Sequence, residues 1–254
     1  MDLEPAPERY LSLLREDGER LAAVATRDLD ASVPPCPGWT VRDVVVHTDH
    51  VYLHKIANMA TMGPAEFPPE PAATGDAVEW FRGAHARLLH ELGTRGPSAP
   101  SYTWWKPDQT VGFWYRRMAQ ETAVHRVDAE TALDQLSPVA DDLAVDGVDE
   151  VLRRFLGHDM WRDLSPEEWG GVDAHAGEGQ SVGVRTGGWS WQVELHPGRI
   201  DVTDGTDFAD AVVTGEPSEV LLWLWGRRPD PVVHVDGDAR VVTALRDRLT
   251  VATQ

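Results

Sequence analysis

SVPPCPGWTVRDVVVHTDHVYLHKI, residues 32–56, ends one helix and starts another within a few positions. Three prolines and Gly38 break the chain over Ser32–Gly38. Thr40 then stands as an N-cap with Asp43 three residues on, a shorter-armed relative of the capping box. Trp39 before the cap and Val44 after it match a hydrophobic staple. The pattern predicts a helix from Thr40 to about Met62, stopped by Gly63-Pro64.

Working outward, the same periodicity predicts three companions. Residues 6–28 carry Tyr10, Leu11, Leu14, Leu21 and Ala25 at near-helical spacing. Val78, Phe81, Ala84, Leu88 and Leu92 share a face over 76–92, and another helix runs over about 111–133. Residues 63–75 read as a Pro/Ala/Gly linker and 93–110 as a loop. Four such helices predict an up-and-down bundle. A further helix over about 146–156 leads to a second part.

From Gly177 the period changes. SVGVRT, WSWQVEL, RIDVT and DAVVTG are short alternating or β-branched runs between Gly and Asp turns. Helices over 217–225 and 239–249 follow, with a strand at 232–235 between them. The expected fold is therefore α+β, with a helical domain over 1–160 and a small α+β domain over 161–254.

Composition narrows the function. The chain has 254 residues and 28.1 kDa, with 23 Lys+Arg against 42 Asp+Glu and a net charge of −19. That charge repels phosphate backbones and anionic membranes, so neither nucleic acid nor a membrane is an expected partner. No apolar run approaches the roughly 18–20 residues of a membrane span. MDLEPAPERY lacks the pattern of a signal peptide, and a cytoplasmic location is expected. Cys36 is the single cysteine, which excludes an internal disulfide and a thiolate-rich metal site. Between two prolines it reads as a small packed residue and a poor nucleophile. Lys55 and Lys106 are the only lysines, and that arginine-heavy bias is compatible with a GC-rich actinobacterial genome.

Two motifs carry chemistry. Glu121 and His125 are four apart on one helix, so a carboxylate and an imidazole share a face. Taken alone, such pairs are usually solvated. His47, His50 and His54 form a row on the second helix, at positions where a bundle helix usually turns apolar residues inward. One histidine of that row with Glu121 and His125 makes a His₂Glu set, the pattern of a catalytic divalent-metal site with open positions. Zinc is the default ion, and nickel, iron or manganese also suit these ligands. No phosphate-binding glycine loop and no G-x-S-x-G elbow is present.

Val33–His47 resembles the N-terminal hallmark of the mycothiol-dependent maleylpyruvate isomerase family, a branch of the DinB-like metal-dependent bundles. Gln120-Glu121-Thr-Ala-Val-His125-Arg-Val-Asp128 resembles its second hallmark. Leu143–Glu150, Val213–Glu219, Leu224–Arg227 and Val235–Asp238 extend the likeness over nearly the whole chain. The resemblance implies a DinB-like four-helix bundle followed by a sterol-carrier-like α+β domain. It implies His47, Glu121 and His125 as zinc ligands and mycothiol as cosubstrate. From their place in the histidine row, His50 and His54 are expected to line the cavity or its mouth as cofactor-binding residues. The resemblance also implies a functional arginine in the second domain, with Arg227 the nearest match and Arg228 beside it. Thr48 and His50 depart from the apolar residues expected after the first ligand.

The expected function is a divalent-metal- and mycothiol-dependent S-transferase or cis–trans isomerase acting on a small electrophile, as a monomer or homodimer. A non-catalytic module binding a metal and a small ligand is the alternative. Turnover of a thiol with an electrophile separates the two.

Overall fold

The computed structural model describes residues 3–68, 75–158, 169–206 and 208–253. The chain forms two compact units, Pro5–Ser137 and Pro138–Gln254, the second including Met1–Glu4. The division thus falls before the helix at 141–156 and not after it, because that helix packs against its own C-terminal neighbours. The expected boundary at residue 160 lies outside the described residues, as do residues 69–74 of the linker.

The first unit holds α1 (Pro7–Ala25), α2 (Val41–Thr61), α3 (Ala77–Arg95) and α4 (Val111–Ala132). Thr40 caps α2: its hydroxyl accepts from the Asp43 amide at 3.4 Å, and the Asp43 carboxylate accepts from the Thr40 amide at 2.8 Å. Met62 ends the helix in a left-handed conformation, φ 53°. Asp76 caps α3 through the Val78 and Glu79 amides.

The packing order differs from the up-and-down expectation. α1 packs against α4 and α3, and α2 against α3 and α4, while α1/α2 and α3/α4 lie across the diagonals. Short loops would join adjacent helices. Here each diagonal pair is joined by a long, hydrogen-bonded loop, pinned by a Ser32–Thr40 bridge in one and a Pro100–Thr110 bridge in the other. Leu14, Leu21, Val44, Phe81, Leu88 and Trp114 are fully buried between the four helices. Arg126 ties α4 to α1 by pairing with Asp17 at 3.0 Å and Glu130 at 2.8 Å, and Glu130 also pairs with Arg20.

The second unit begins with α5 (Asp141–Glu150), which continues as a π-helical segment over Val151–Leu156. A five-stranded sheet follows, with β1 (Ser181–Thr186), β2 (Trp189–His196), β3 (Arg199–Asp204), β4 (Ala211–Thr214) and β5 (His234–Gly237) in the order β3-β2-β1-β4-β5. Only β1 and β4 are parallel. The β1–β2 hairpin turns on Gly187-Gly188, both at positive φ as a two-residue turn requires. Trp191, Val193 and Leu195 alternate into the core, which α6 (Pro217–Leu224) and α7 (Ala239–Ala252) help to close. The fold is mixed α+β. Among the described residues, no helix is long and apolar enough to cross a membrane.

Thr40 holds the N-terminus of the histidine-bearing helix. Thr40→Ala removes one half of the capping box and should cost about 1 kcal/mol, read as a lower urea midpoint with an unchanged slope.

Candidate metal centre

α2 and α4 bring three of the expected residues together. His47 Nε2 and Glu121 Oε1 are 3.3 Å apart, and His125 Nε2 lies 3.3 Å from the same oxygen. One ligand atom from each residue lies within 4.8 Å of the others. Two separations of 3.3 Å are close to the edge of a tetrahedron with bonds of roughly 2.0–2.1 Å, so the donor set fits a divalent ion. Side-chain exposure falls from 31% at His47 through 17% at Glu121 to 10% at His125, so the group opens on the His47 side.

Behind the triad stand partners that fix its orientation. The Asp128 carboxylate, fully buried, lies 3.0 Å from His125 Nδ1. A carboxylate there holds the proton on Nδ1, so the proton on Nε2, directed at Glu121, is the one a metal ion would replace. Cys36 reaches the same carboxylate, Sγ to Oδ2 at 3.6 Å. Arg117 donates to the second Glu121 oxygen at 3.0 Å. Tyr52 and Thr122 hydroxyls meet at 2.5 Å and join α2 to α4 just beyond the triad.

Trp39 forms a wall. Its ring lies 5.1 Å from that of His47 and stacks on His125 at 6.3 Å. The breaker segment is what delivers it: Val33 and Trp39 amides donate to Trp39 and Cys36 carbonyls, and Gly38 turns at φ 85°. Phe67 approaches His47 edge-on at 6.4 Å from the segment after α2.

Burial works to raise the Glu121 pKa, but the His125 charge, hydrogen bonds from both histidines and Arg117 hold it well below the usual carboxylate range. Burial likewise works to lower His125, and Glu121 and Asp128 overcome it, pushing the imidazole up to about 9. Lys55 is held down to about 8, chiefly by burial, with Glu121 opposing and Arg117 assisting.

The other expected site residues fall elsewhere. His54 sits 5.3 Å from Phe67, with its ring nitrogens near the Ala65 carbonyl and Lys55 Nζ, at 3.1 and 3.0 Å. His50 lines a different pocket, with Arg42 and Trp80, and is not brought to the triad. On α2 a step of seven residues returns to within about 20° of His47, whereas a step of three leaves about 60°. Arg227 follows α6 in the second unit and donates to the Trp225 carbonyl at 2.8 Å, while Arg228 is committed to both Glu219 oxygens. Trp39, Asp128 and Arg117 complete the site, although the sequence motifs do not mark them as site residues. The last two lie three and four positions from His125 and Glu121, a spacing that points to them. Trp104 packs against Trp105 and Phe113, and Trp114 packs against Phe113 and donates its indole N–H to the Tyr102 carbonyl at 3.1 Å.

Fold and site together define a helical bundle with a His₂Glu centre, joined to an α+β unit. The family model for the mycothiol maleylpyruvate isomerase N-terminal domain matches residues 11–130, and that for the MDMPI C-terminal domain matches residues 142–244. The chain belongs to the mycothiol-dependent maleylpyruvate isomerase family. Two crystal structures of a mycothiol-dependent maleylpyruvate isomerase, one of them a histidine-to-alanine mutant, are similar in fold. The mutant is 14% identical with a TM-score of 0.57 and the other 15% identical with 0.53, each covering 91% of this chain and 93% of its own. A ubiquinone synthesis protein described as UbiJ-SCP2 matches 42% of this chain and 92% of its own, at 21% identity and a TM-score of 0.30. Among curated proteins nothing matches.

Two outcomes follow from this geometry. Asp128→Asn should weaken metal affinity by about 10- to 100-fold in a chelator competition while leaving helicity intact. The second concerns the metal-stripped protein. His125 titrates at about 9 when folded and near 6.5 when unfolded. Its stabilising effect is complete below 6.5 and is lost as pH rises toward 9. Lys55 acts in the opposite sense only from about 8 upward. Melting temperature should therefore fall between about pH 6.5 and 8, and His125→Gln should flatten that slope. Metal affinity should rise over the same interval as the competing proton leaves.

Proposed function

We propose that this protein is a divalent-metal- and mycothiol-dependent enzyme, an S-transferase or cis–trans isomerase acting on a small electrophilic metabolite in the cytoplasm. The observation that carries the proposal is the convergence of His47, Glu121 and His125, with Asp128 behind His125, in a chain of this family. The structures similar to it are of an isomerase described as mycothiol-dependent. His47, Glu121 and His125 hold the metal, zinc by preference. Bound there, the ion supplies Lewis acidity that lowers the pKa of a thiol, which at an ordinary value of about 8.5 is only slightly ionised at neutral pH.

The remaining roles belong to the chain's own residues. Asp128 fixes the His125 tautomer, and Arg117 neutralises the outer Glu121 oxygen. Trp39 covers two of the ligands and keeps water from that side. Phe67 and His54 stand on the open side, where the thiol and its electrophile enter. By the family likeness, Arg227 takes the anionic group of the substrate. Cys36 is a neighbour of Asp128 and not the attacking thiol. The same ligand set serves addition–rotation–elimination across a double bond and displacement of a leaving group, so the substrate decides between isomerase and transferase.

Metal analysis followed by a thiol-consumption screen tests the reading. One metal per chain is expected, and His47→Ala and His125→Ala should each strip it with helicity retained. Turnover should require both the metal and added mycothiol. Cys36→Ser should keep most activity, and Arg227→Ala should lower turnover or substrate affinity with metal retained. Full turnover without any thiol would make the protein a metal-dependent hydrolase or lyase. Stoichiometric binding without turnover would make it the binding module.

A further inference from the structure

Where the first half of α2 meets the start of α3, a cavity of about 200 Å³ is lined by Arg42, Val46, Asp49, His50, Ala77 and Trp80. None of the triad lines it. At roughly 30 Å³ per molecule it has room for about six waters, or an organic ligand of similar size. Most of its wall is apolar, and Trp80, 39% exposed, offers its indole to the opening.

The polar groups in this wall are unequally committed. Arg42 is half-exposed and pairs with Asp30 at 3.1 Å. Asp49 is 6% exposed and accepts no hydrogen bond from any described residue. His50, next in the chain, stands on the same wall. A buried acid of this kind is costly unless a cation or donor meets it. The unmet demand in the pocket is therefore for positive charge, and the net charge of −19 draws cations to the surface.

We propose that this pocket is a second binding site, separate from the metal centre, for a small organic ammonium ion whose charge meets Asp49 and whose carbon skeleton lies against Val46 and Trp80. His50 adds an imidazole nitrogen that accepts from an N–H of the ligand. Trp80 contributes through the attraction of a cation to the indole face. Arg42, held outward by Asp30, closes the rim and leaves the interior to the acid.

The test uses the full chain and three probes of matched size: n-propylammonium, tetramethylammonium and propionate. Calorimetric or NMR titration should give saturable binding of both ammonium ions and none of propionate. Asp49→Asn should weaken ammonium binding by about tenfold or more, and Trp80→Ala should weaken tetramethylammonium more than n-propylammonium. Without ligand, Asp49→Asn should melt at or above the wild-type temperature, because it removes a buried charge that no described residue hydrogen-bonds. Binding should persist in His125→Gln, which separates this site from the fate of the metal reading. Three results would overturn the proposal: no saturable ammonium binding, preference for propionate that is lost in Arg42→Ala, or ammonium affinity unchanged in Asp49→Asn. A marked fall in the melting temperature of Asp49→Asn would also count against it, since it would show that the carboxylate already has a structural partner.

Discussion

Glu121 carries a negative charge in a place with little water, and the surrounding structure answers it. An ionised carboxylate taken out of water must be paired and hydrogen-bonded. Here one oxygen faces two imidazoles and the other receives a guanidinium. Each partner needs its own support. Asp128 holds His125 from behind, and Trp39 lies across both rings. The result is a nest of charge that requires a cation at its centre, whether the proton on His125 or a metal in its place. Under the proposed function, proton and metal would therefore compete for that centre.

The frame that holds this charge is built from contacts distant in sequence. α2 and α4 are adjacent in the bundle although α3 lies between them in the chain. Tyr52 and Thr122 lock their relative height, and the apolar faces around Val44, Phe81 and Trp114 fix their separation. On the far side, the Asp17–Arg126–Glu130–Arg20 pairings anchor α4 to α1, one turn along from His125. α4 thus carries two rows of charge on one helix. One row is satisfied internally and serves the fold. The other points at the site and remains chemically available.

What the sequence revealed and what it hid divide along the same line. The capping box at Thr40, the stop at Gly63 and the Gly and Asp turns between the strands are local, and each element they bound lies within a few residues of its expected range. The i, i+4 spacing of Glu121 and His125 gave that pair directly. The diagonal placement of α1 and α2 was hidden, because nothing in a loop's composition says whether it crosses the bundle end or turns back. The role of Trp39 was hidden for the same reason: its staple position was readable, but its approach to His125, far along the chain, was not. The helix at 146–156 reads from sequence as a lead into the second part, and the burial of Leu143 and Val148 sets it within the unit that begins at Pro138, a grouping that rests on contacts distant in sequence. His50 shows the limit of a stripe drawn on paper, since a 60° offset on one helix was enough to put it in another pocket.

Charge gives these local facts a common sense. The chain is strongly acidic, yet Arg117 and Lys55 stand close to Glu121, and Lys55 Nζ lies 5.4 Å over the Trp114 ring. Bringing cations into a half-buried site of an acidic protein is unfavourable for desolvation and is rewarded only by nearby negative charge. Glu121 supplies that charge. Under the proposed function, a divalent ion held there would reverse the sign of the centre that this arginine and lysine face. The long-range field of the acidic protein would then favour the ion, whereas the short-range field around it would favour an anionic ligand. Overall charge and local charge would thus act on two different partners of one site.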